Sequence, residues 1–440
     1  MNVINKILKG DKVIWVVALL LGLISLVVVY SATSALVENN YGGSSGRLLL
    51  KHGGTLLIGF IMMFVAYRID YRKYAGIFGI VLWLCIPLLL YTMLFGKNLN
   101  EASRTINLLG FSFQPSELAK IALITYLSRE LMMLQDKLHS FKQILLPIVV
   151  PILVTTGLIF TENLSTAAIL LVACLVLLFI GRVKIMHILA ILGIGIVLLG
   201  FYILYDMAAT KIKNNRALRQ AQTTEVVITE GQDEAQAAPF IRQRKSRIET
   251  WINRVKAMSE EKKMKAEGTY DPFDDHHYQQ TYAKIAVASS RFIGKGPGKS
   301  EQRNFLPHPY SDFIYAIIIE EYGIIGAFIV MLLYVILLTR ALKIVTKRTI
   351  TFGSYMAFGL TFLLIMQAMI NMGVSTGLLP VTGQPLPFVS MGGSSMLATG
   401  FSIGMILSVT RSIEKQKEAE QQQDGMSAET EQQTENTEVQ

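Results

Sequence analysis

A polar interval, residues 206–312, separates two apolar runs and carries the residues best equipped for chemistry. It holds Asp271-Pro272-Phe273-Asp274-Asp275-His276-His277-Tyr278-Gln279 and, further on, Gly294-Lys295-Gly296-Pro297-Gly298-Lys299-Ser300. Three carboxylates and two imidazoles in so short a stretch can supply a general base or hold a hard cation through carboxylate oxygens. They can equally be a solvated acidic loop, and their spacing matches no defined zinc site. The glycine run is not a nucleotide loop: a Walker pattern needs glycine where Ile293 stands, and no strand–helix context surrounds it. It reads as a tight, backbone-rich turn beside a lipid phosphate or beside the next helix.

A second set of candidates lies in or next to apolar sequence. Glu117 and Lys120 are one helical turn apart, so their side chains share a face. Each charge costs about 2.5–3.5 kcal/mol at the centre of a bilayer, so both must face protein or a wet cavity. They are either a mutually neutralising pair that holds helices together or part of a substrate site. Glu320 and Glu321 raise the same question, and for them the structural role is favoured, with at least one paired to a basic residue of a neighbouring helix. Arg104, in Ala102-Ser103-Arg104-Thr105-Ile106-Asn107-Leu108, precedes Gln114-Pro115-Ser116-Glu117. Its guanidinium can fork onto phosphate oxygens, or it is an ordinary interfacial arginine. Pro115 suits the first turn of a helix, and Ser116 and Glu117 favour the same end.

The elements that must position these residues are membrane helices. The chain has 440 residues, 52% hydrophobic and 17% charged, with a mean hydropathy of +0.43, which predicts an all-α polytopic membrane protein. About ten apolar runs approach the length that crosses a hydrocarbon core. They cover 13–36, 54–69, 75–95, 115–134, 144–160, 165–181, 186–205, 313–338, 352–372 and 392–411. The first is too long for a signal-peptide core and reads as an uncleaved span. Cys85 and Cys174 fall inside these runs, away from any disulfide framework.

Lys and Arg in the short connections place both termini in the cytoplasm. The connections concerned carry Arg68, Arg72 and Lys73, then Lys137 and Lys142, then Arg182 and Lys184, then Arg340, Lys343, Lys347 and Arg348, with Arg411, Lys415 and Lys417 at the end. The long 206–312 segment escapes that rule and is expected outside, as a large extracytoplasmic loop between helices seven and eight. The net charge of +9 is then divided between two membrane faces, and nucleic acid has no access to the outer one. Four regions follow: 1–205 with helices one to seven, the loop 206–312, 313–411 with helices eight to ten, and a disordered cytoplasmic tail 412–440. Residues 206–240 read as irregular. Within the loop, Ile248, Trp251, Ile252, Val255 and Met258 predict an amphipathic helix over 242–265 that lies either in the headgroup layer or on the protein's own surface.

Taken together, the motifs resemble the SEDS family of peptidoglycan glycosyltransferases, the FtsW, RodA and SpoVE group. The family's A-S-R-W-I-x-L-G is similar to Ala102–Leu108, and its Q-P-[AS]-E-L-x-K to Gln114–Lys120. Its D-P-x-G-x-G-Y-Q is represented by Asp271-Pro272-Phe273 and Tyr278-Gln279, and its G-x-G-x-G-x-S by Gly294–Ser300. H-T-D-F-I-F-A resembles Tyr310–Ala316, E-E-x-G resembles Glu320–Gly323, and the last signature resembles Gly377–Ser395 almost throughout. There are departures. Thr105 replaces the usual tryptophan, and Thr161-Glu162-Asn163-Leu164-Ser165-Thr166 stands where Q-P-D-L-G-T is common, so that acid has moved or gone. Residues 255–269 look inserted, which leaves Asp274 and Asp275 as alternatives to Asp271.

The resemblance implies polymerisation of lipid II at the outer face of the cytoplasmic (inner) membrane. It assigns Asp271 as general base, Arg104 and Lys120 as a phosphate cradle, Glu117 as the residue that orients Lys120, and Ser394 of the last signature as substrate-binding. A divalent cation, Mg or Mn, is the one cofactor it leaves open. The expected partners are a class B penicillin-binding transpeptidase of the FtsI kind, contacting helices eight and nine and the outer loop, and other division proteins at the septum. The wording of 377–390 is nearer to division members than to elongation members. The rivals are a RodA-type elongation polymerase, a lipid II flippase and a scaffold without chemistry.

Overall fold

The computed structural model describes residues 9–40, 45–95, 97–99, 102–108, 111–228, 267, 278–290, 292–306, 308–346 and 351–438. Asp271, Asp274, Asp275, His276 and His277 lie outside the described residues, as does the helix expected over 242–265. The described helices are α1 Lys12–Asn40, α2 Ser45–Arg68, α3 Tyr71–Phe95, α4 Pro115–Met133, α5 Phe141–Glu162, α6 Leu164–Ile180, α7 Ile185–Ile228, α8 Tyr278–Ser289, α9 Ile314–Thr346, α10 Phe352–Ser375 and α11 Gly393–Glu438. Every apolar run named above falls on one of these helices. Among the described residues eight helices are long and apolar enough to cross a membrane. The runs outside that set are α4, which carries internal charges, and α6, with 17 residues. The protein is an all-α, multi-pass membrane protein by architecture, and it divides into two compact units, 1–185 with 282–440, and 186–281.

Three features differ from the sequence expectation. A small antiparallel sheet, β1 Lys97–Leu99, β2 Ala102–Leu108 and β3 Phe111–Phe113, occupies the α3–α4 connection. α7 continues to Ile228 instead of ending near 205, carried by Ala, Lys, Arg and Gln, which are strong helix formers. The tail expected to be disordered is helical through Glu438, for the same reason. Its first part is also held tertiarily, because the Glu418 carboxylate pairs with Lys9 Nζ at 2.6 Å and Glu414 accepts from the backbone N–H of Gly10.

Local chemistry explains the helix starts. Extended Gln114 leads into Pro115 at the head of α4. The Asn163 side chain caps α6 by accepting from Ser165 N and Thr166 N at 3.1 and 3.3 Å. Close helix packing rests on small residues: a Cβ on Gly400 of α11 would overlap the Gly59 backbone of α2, and one on Gly404 would overlap the Met63 carbonyl.

Candidate active site

In the larger unit, α4, α6, α9 and α11 all begin at the same end of the bundle, where the sheet also lies. β2 packs on α3, α4 and α5, β3 packs on α11, and α4 packs on α11. Arg104 sits at a β-bulge. Lys97 pairs with Thr105 and Asn98 with Ser103, which leaves Arg104 as the extra residue of β2. Ser394, half-buried, is in the first turn of α11. The fold thus gathers the elements bearing Arg104, Glu117, Lys120 and Ser394. Helix N-termini collected at one end turn their positive dipole ends there, which favours an anion.

Lys120 Nζ lies 2.8 Å from Glu117 Oε1, with side-chain exposures of 2% and 11%. The pair is formed as the spacing on one helical face requires, and the lysine is the more deeply buried partner. Its charge is directed at Glu117, not at open solvent.

Beside these residues a polar network fixes the 380–392 loop, and it was not singled out from the sequence. Gln384 Nε2 donates to Thr166 Oγ1 at 2.8 Å, while Asn371 Nδ2 donates to the carbonyls of Gln384 and Asp312 at 2.8 and 2.9 Å. Ser390 Oγ donates to Ser311 O at 2.6 Å and accepts from Leu386 N at 2.7 Å. Ser25 Oγ donates to Val389 O at 2.7 Å and lies 2.8 Å from His52 Nε2. The turn is tight enough to hold Phe388 at φ 63°, with its ring buried edge-on to Phe60 at 5.0 Å. A non-glycine residue there stores about 1–3 kcal/mol, retained because the surroundings over-determine it. The legible signal was Asn371 and Gln384 within otherwise apolar sequence, since buried amides need partners.

Glu162 is the acid left in doubt by the altered motif. It is present at the end of α5, 2% exposed, and accepts from Thr92 Oγ1 of α3.

The glycine turn has a structural explanation. Glu320 takes Lys295 Nζ at 2.8 Å, the Ser300 hydroxyl, and the backbone N–H groups of Glu301 and Gln302 at 3.1 and 3.3 Å. Glu321 accepts from Ser300 N at 3.3 Å and from Ser31 Oγ of α1. Arg303 Nη1 donates to Ser31 O at 2.9 Å. Gly294, at φ +83°, lies so close to Glu321 and Gly323 that a Cβ would overlap their backbone. Proximity to the next helix, one of the two expectations for this turn, is realised. The cation that meets Glu320 comes from the turn and not from a neighbouring helix. Its carboxylate raises the Lys295 pKa above 10.5, chiefly through the hydrogen bond. Shortly after the acidic cluster, α8 is fixed to this loop by stacking of Tyr282 on Phe305, 5.1 Å apart and 9° from parallel.

Among the described residues no three His, Cys, Asp or Glu side chains converge as a metal site would require. Glu117 already faces Lys120, so the described part of the site does not fit a resident cation.

Comparison with known proteins agrees with this architecture. A family model described as a cell cycle protein, for FtsW, RodA and SpoVE, matches residues 11–415. The chain is 30% identical over 412 residues to a "Probable peptidoglycan glycosyltransferase FtsW" of Geobacter sp. (strain M18), covering 91% of this chain and 96% of that protein. It is also 30% identical over 418 residues to the stage V sporulation protein E of Bacillus subtilis (strain 168), covering 91% and 97%. Among solved structures, a peptidoglycan synthase complex that coordinates polymerization and crosslinking superposes with a TM-score of 0.62 at 21% identity, over 91% of this chain and 98% of the other. The rod shape determining protein RodA of Thermus thermophilus gives a TM-score of 0.58 at 20% identity, over 91% and 97%.

Proposed function

We infer that this chain, which belongs to the FtsW/RodA/SpoVE family, is a membrane-embedded peptidoglycan glycosyltransferase. The observation that carries this is the family match, continuous from residue 11 to 415; the packing of the elements that bear Arg104, Glu117, Lys120 and Ser394 at one end of the bundle supports the reading.

The substrate is lipid II. Each transfer forms a bond from an acceptor sugar oxygen to the anomeric carbon of the donor and breaks the bond from that carbon to pyrophosphate. The hydroxyl proton passes to a base, and the electron pair leaves with the polyprenyl pyrophosphate. Asp271 is the base, a role worth about 10²–10⁴-fold when the carboxylate is positioned. Arg104 on its bulge, the positive dipole ends of α4 and α11, and Ser394 receive the pyrophosphate charge as it develops. Lys120 is a positioning residue: its ammonium, directed at Glu117, fixes that carboxylate and contributes positive potential beneath the site. A divalent cation, if the reaction uses one, would be held by the Asp271–His277 cluster, whose carboxylate oxygens suit a hard ion.

The short connections rich in Lys and Arg support cytoplasmic termini, with 206–312 at the outer face. The similarity at 30% identity to FtsW supports a role in septal cell-wall synthesis. The partner is a class B penicillin-binding transpeptidase, a reading supported by the superposition on a complex that couples polymerization to crosslinking. The test is to reconstitute the chain with that transpeptidase and lipid II. Glycan polymer is the expected product. Transfer of lipid II across the bilayer without polymer would replace the enzyme reading with a flippase.

A further inference from the structure

At the end of the larger unit opposite the candidate active site lies a cavity of about 650 Å³. Its walls include Gly10 and Asp11, the starts of α3 and α10, the end of α9 and the Val409–Lys417 stretch of α11. Four cationic side chains line it, Arg72, Arg340, Lys343 and Lys417, against two acids, Asp11 and Glu414. Both acids are engaged. Asp11 Oδ2 lies 3.6 Å from Arg340 Nη1, and Glu414 accepts from the backbone of Gly10. Among the described residues Arg72, Lys343 and Lys417 form no ion pair with an acid. The connection leading into α10 adds Lys347 and Arg348 in sequence.

The remaining lining suits an anion. Thr351, Ser354 and Ser412 bring hydroxyls. α10 starts here, capped by Thr351 Oγ1 accepting from Ser354 N at 3.4 Å, and its positive dipole end adds to the side-chain charge. Four cations against two acids leave the concavity with an excess of positive charge, and a bound anion offsets it. The volume is within the range of small-ligand pockets, and basic pockets between membrane helices are suited to phosphate headgroups.

We propose that this cavity binds a phosphate-bearing anion. Two sources share that chemistry: the headgroup of an anionic phospholipid in the adjacent leaflet, and a soluble phosphorylated compound. On the orientation proposed above the leaflet is the cytoplasmic one, but the site itself does not depend on the glycosyltransferase reading.

The experiment is a binding titration on the purified full-length chain with dioctanoyl phosphatidylglycerol, inorganic pyrophosphate and, as neutral control, dioctanoyl phosphatidylcholine. It is repeated on K343E/K417E and on K343Q/K417Q, whose exposed side chains lie outside the active-site machinery. Phosphatidylglycerol is expected to raise the thermal midpoint of the wild type beyond the neutral lipid. Its apparent Kd is expected to weaken by about tenfold or more in K343E/K417E and by less in K343Q/K417Q. Competition by pyrophosphate assigns the site to free phosphates, and binding of the lipid alone assigns it to headgroups. The proposal is overturned if neither anion binds the wild type better than the neutral lipid does, or if both variants bind as the wild type does.

Discussion

Lys120 Nζ and Glu117 Oε1 meet at 2.8 Å one turn into α4, with the lysine side chain 2% exposed. Two charges buried this deeply are tolerated only as a pair, so each depends on the other for its presence in the bundle. Removing the lysine alone strands a buried carboxylate. Lys120→Met is therefore expected to destabilise the protein by about 3–5 kcal/mol, read as a lower unfolding midpoint in detergent. The double variant Glu117→Gln with Lys120→Met should regain much of that stability while polymerisation stays low. Recovery of activity along with stability would mean the pair only holds helices together.

Arg104 can be separated from a generic cation by Arg104→Lys. Loss of the fork geometry at one phosphate contact should lower kcat/KM by about 10-fold or more, since a charge-assisted bidentate contact is worth roughly 1.5–3 kcal/mol. The unfolding midpoint should not change. Wild-type kinetics in that variant would remove Arg104 from the phosphate cradle.

The Glu320–Lys295 contact gives the 292–306 loop a pH dependence. A lysine whose pKa is raised on folding, as for Lys295, contributes stability that is complete below the unfolded value of 10.5 and is lost as pH rises through the raised value. Amide exchange and protease cleavage across 292–306 should therefore be unchanged from neutral pH to about pH 9 and increase above about pH 10.5. Glu320→Gln should show fast cleavage already at neutral pH.

Gly294 is a steric test of the same anchor. A Cβ there would overlap the backbone of Glu321 and Gly323, at a φ of +83°. Gly294→Ala is expected to displace the turn and expose 292–306 to protease, whereas Gly298→Ala, whose Cβ would enter open space, should cost only the strain of its positive φ, about 1–2 kcal/mol.

The sequence made the helices legible because a span must be long and apolar, and every such run is a helix here. The Glu117–Lys120 pair was legible for the same reason, since charge in that setting needs a partner one turn away. The sheet at 97–113 was not, because two of its strands have only three residues and the seven-residue β2 is interrupted by the bulge at Arg104. Nor was the destination of the glycine turn: Glu320 and Gly294 are far apart in sequence, and only folding shows that the carboxylate collects the turn's amides. The tail misled through composition, because Gln, Glu and Lys suit both disorder and helix, and the contacts of Lys9 and Gly10 with Glu418 and Glu414 are tertiary. Asp271 was reached through the D-P motif alone.

The measurement closest to the central claim is glycan synthesis from lipid II by the chain reconstituted with its transpeptidase, comparing wild type, Asp271→Ala, Asp274→Ala and Asp275→Ala at matched unfolding midpoints, with and without added Mg or Mn. Polymer should vanish in Asp271→Ala alone. Undiminished polymer from Asp271→Ala would contradict its role as the base.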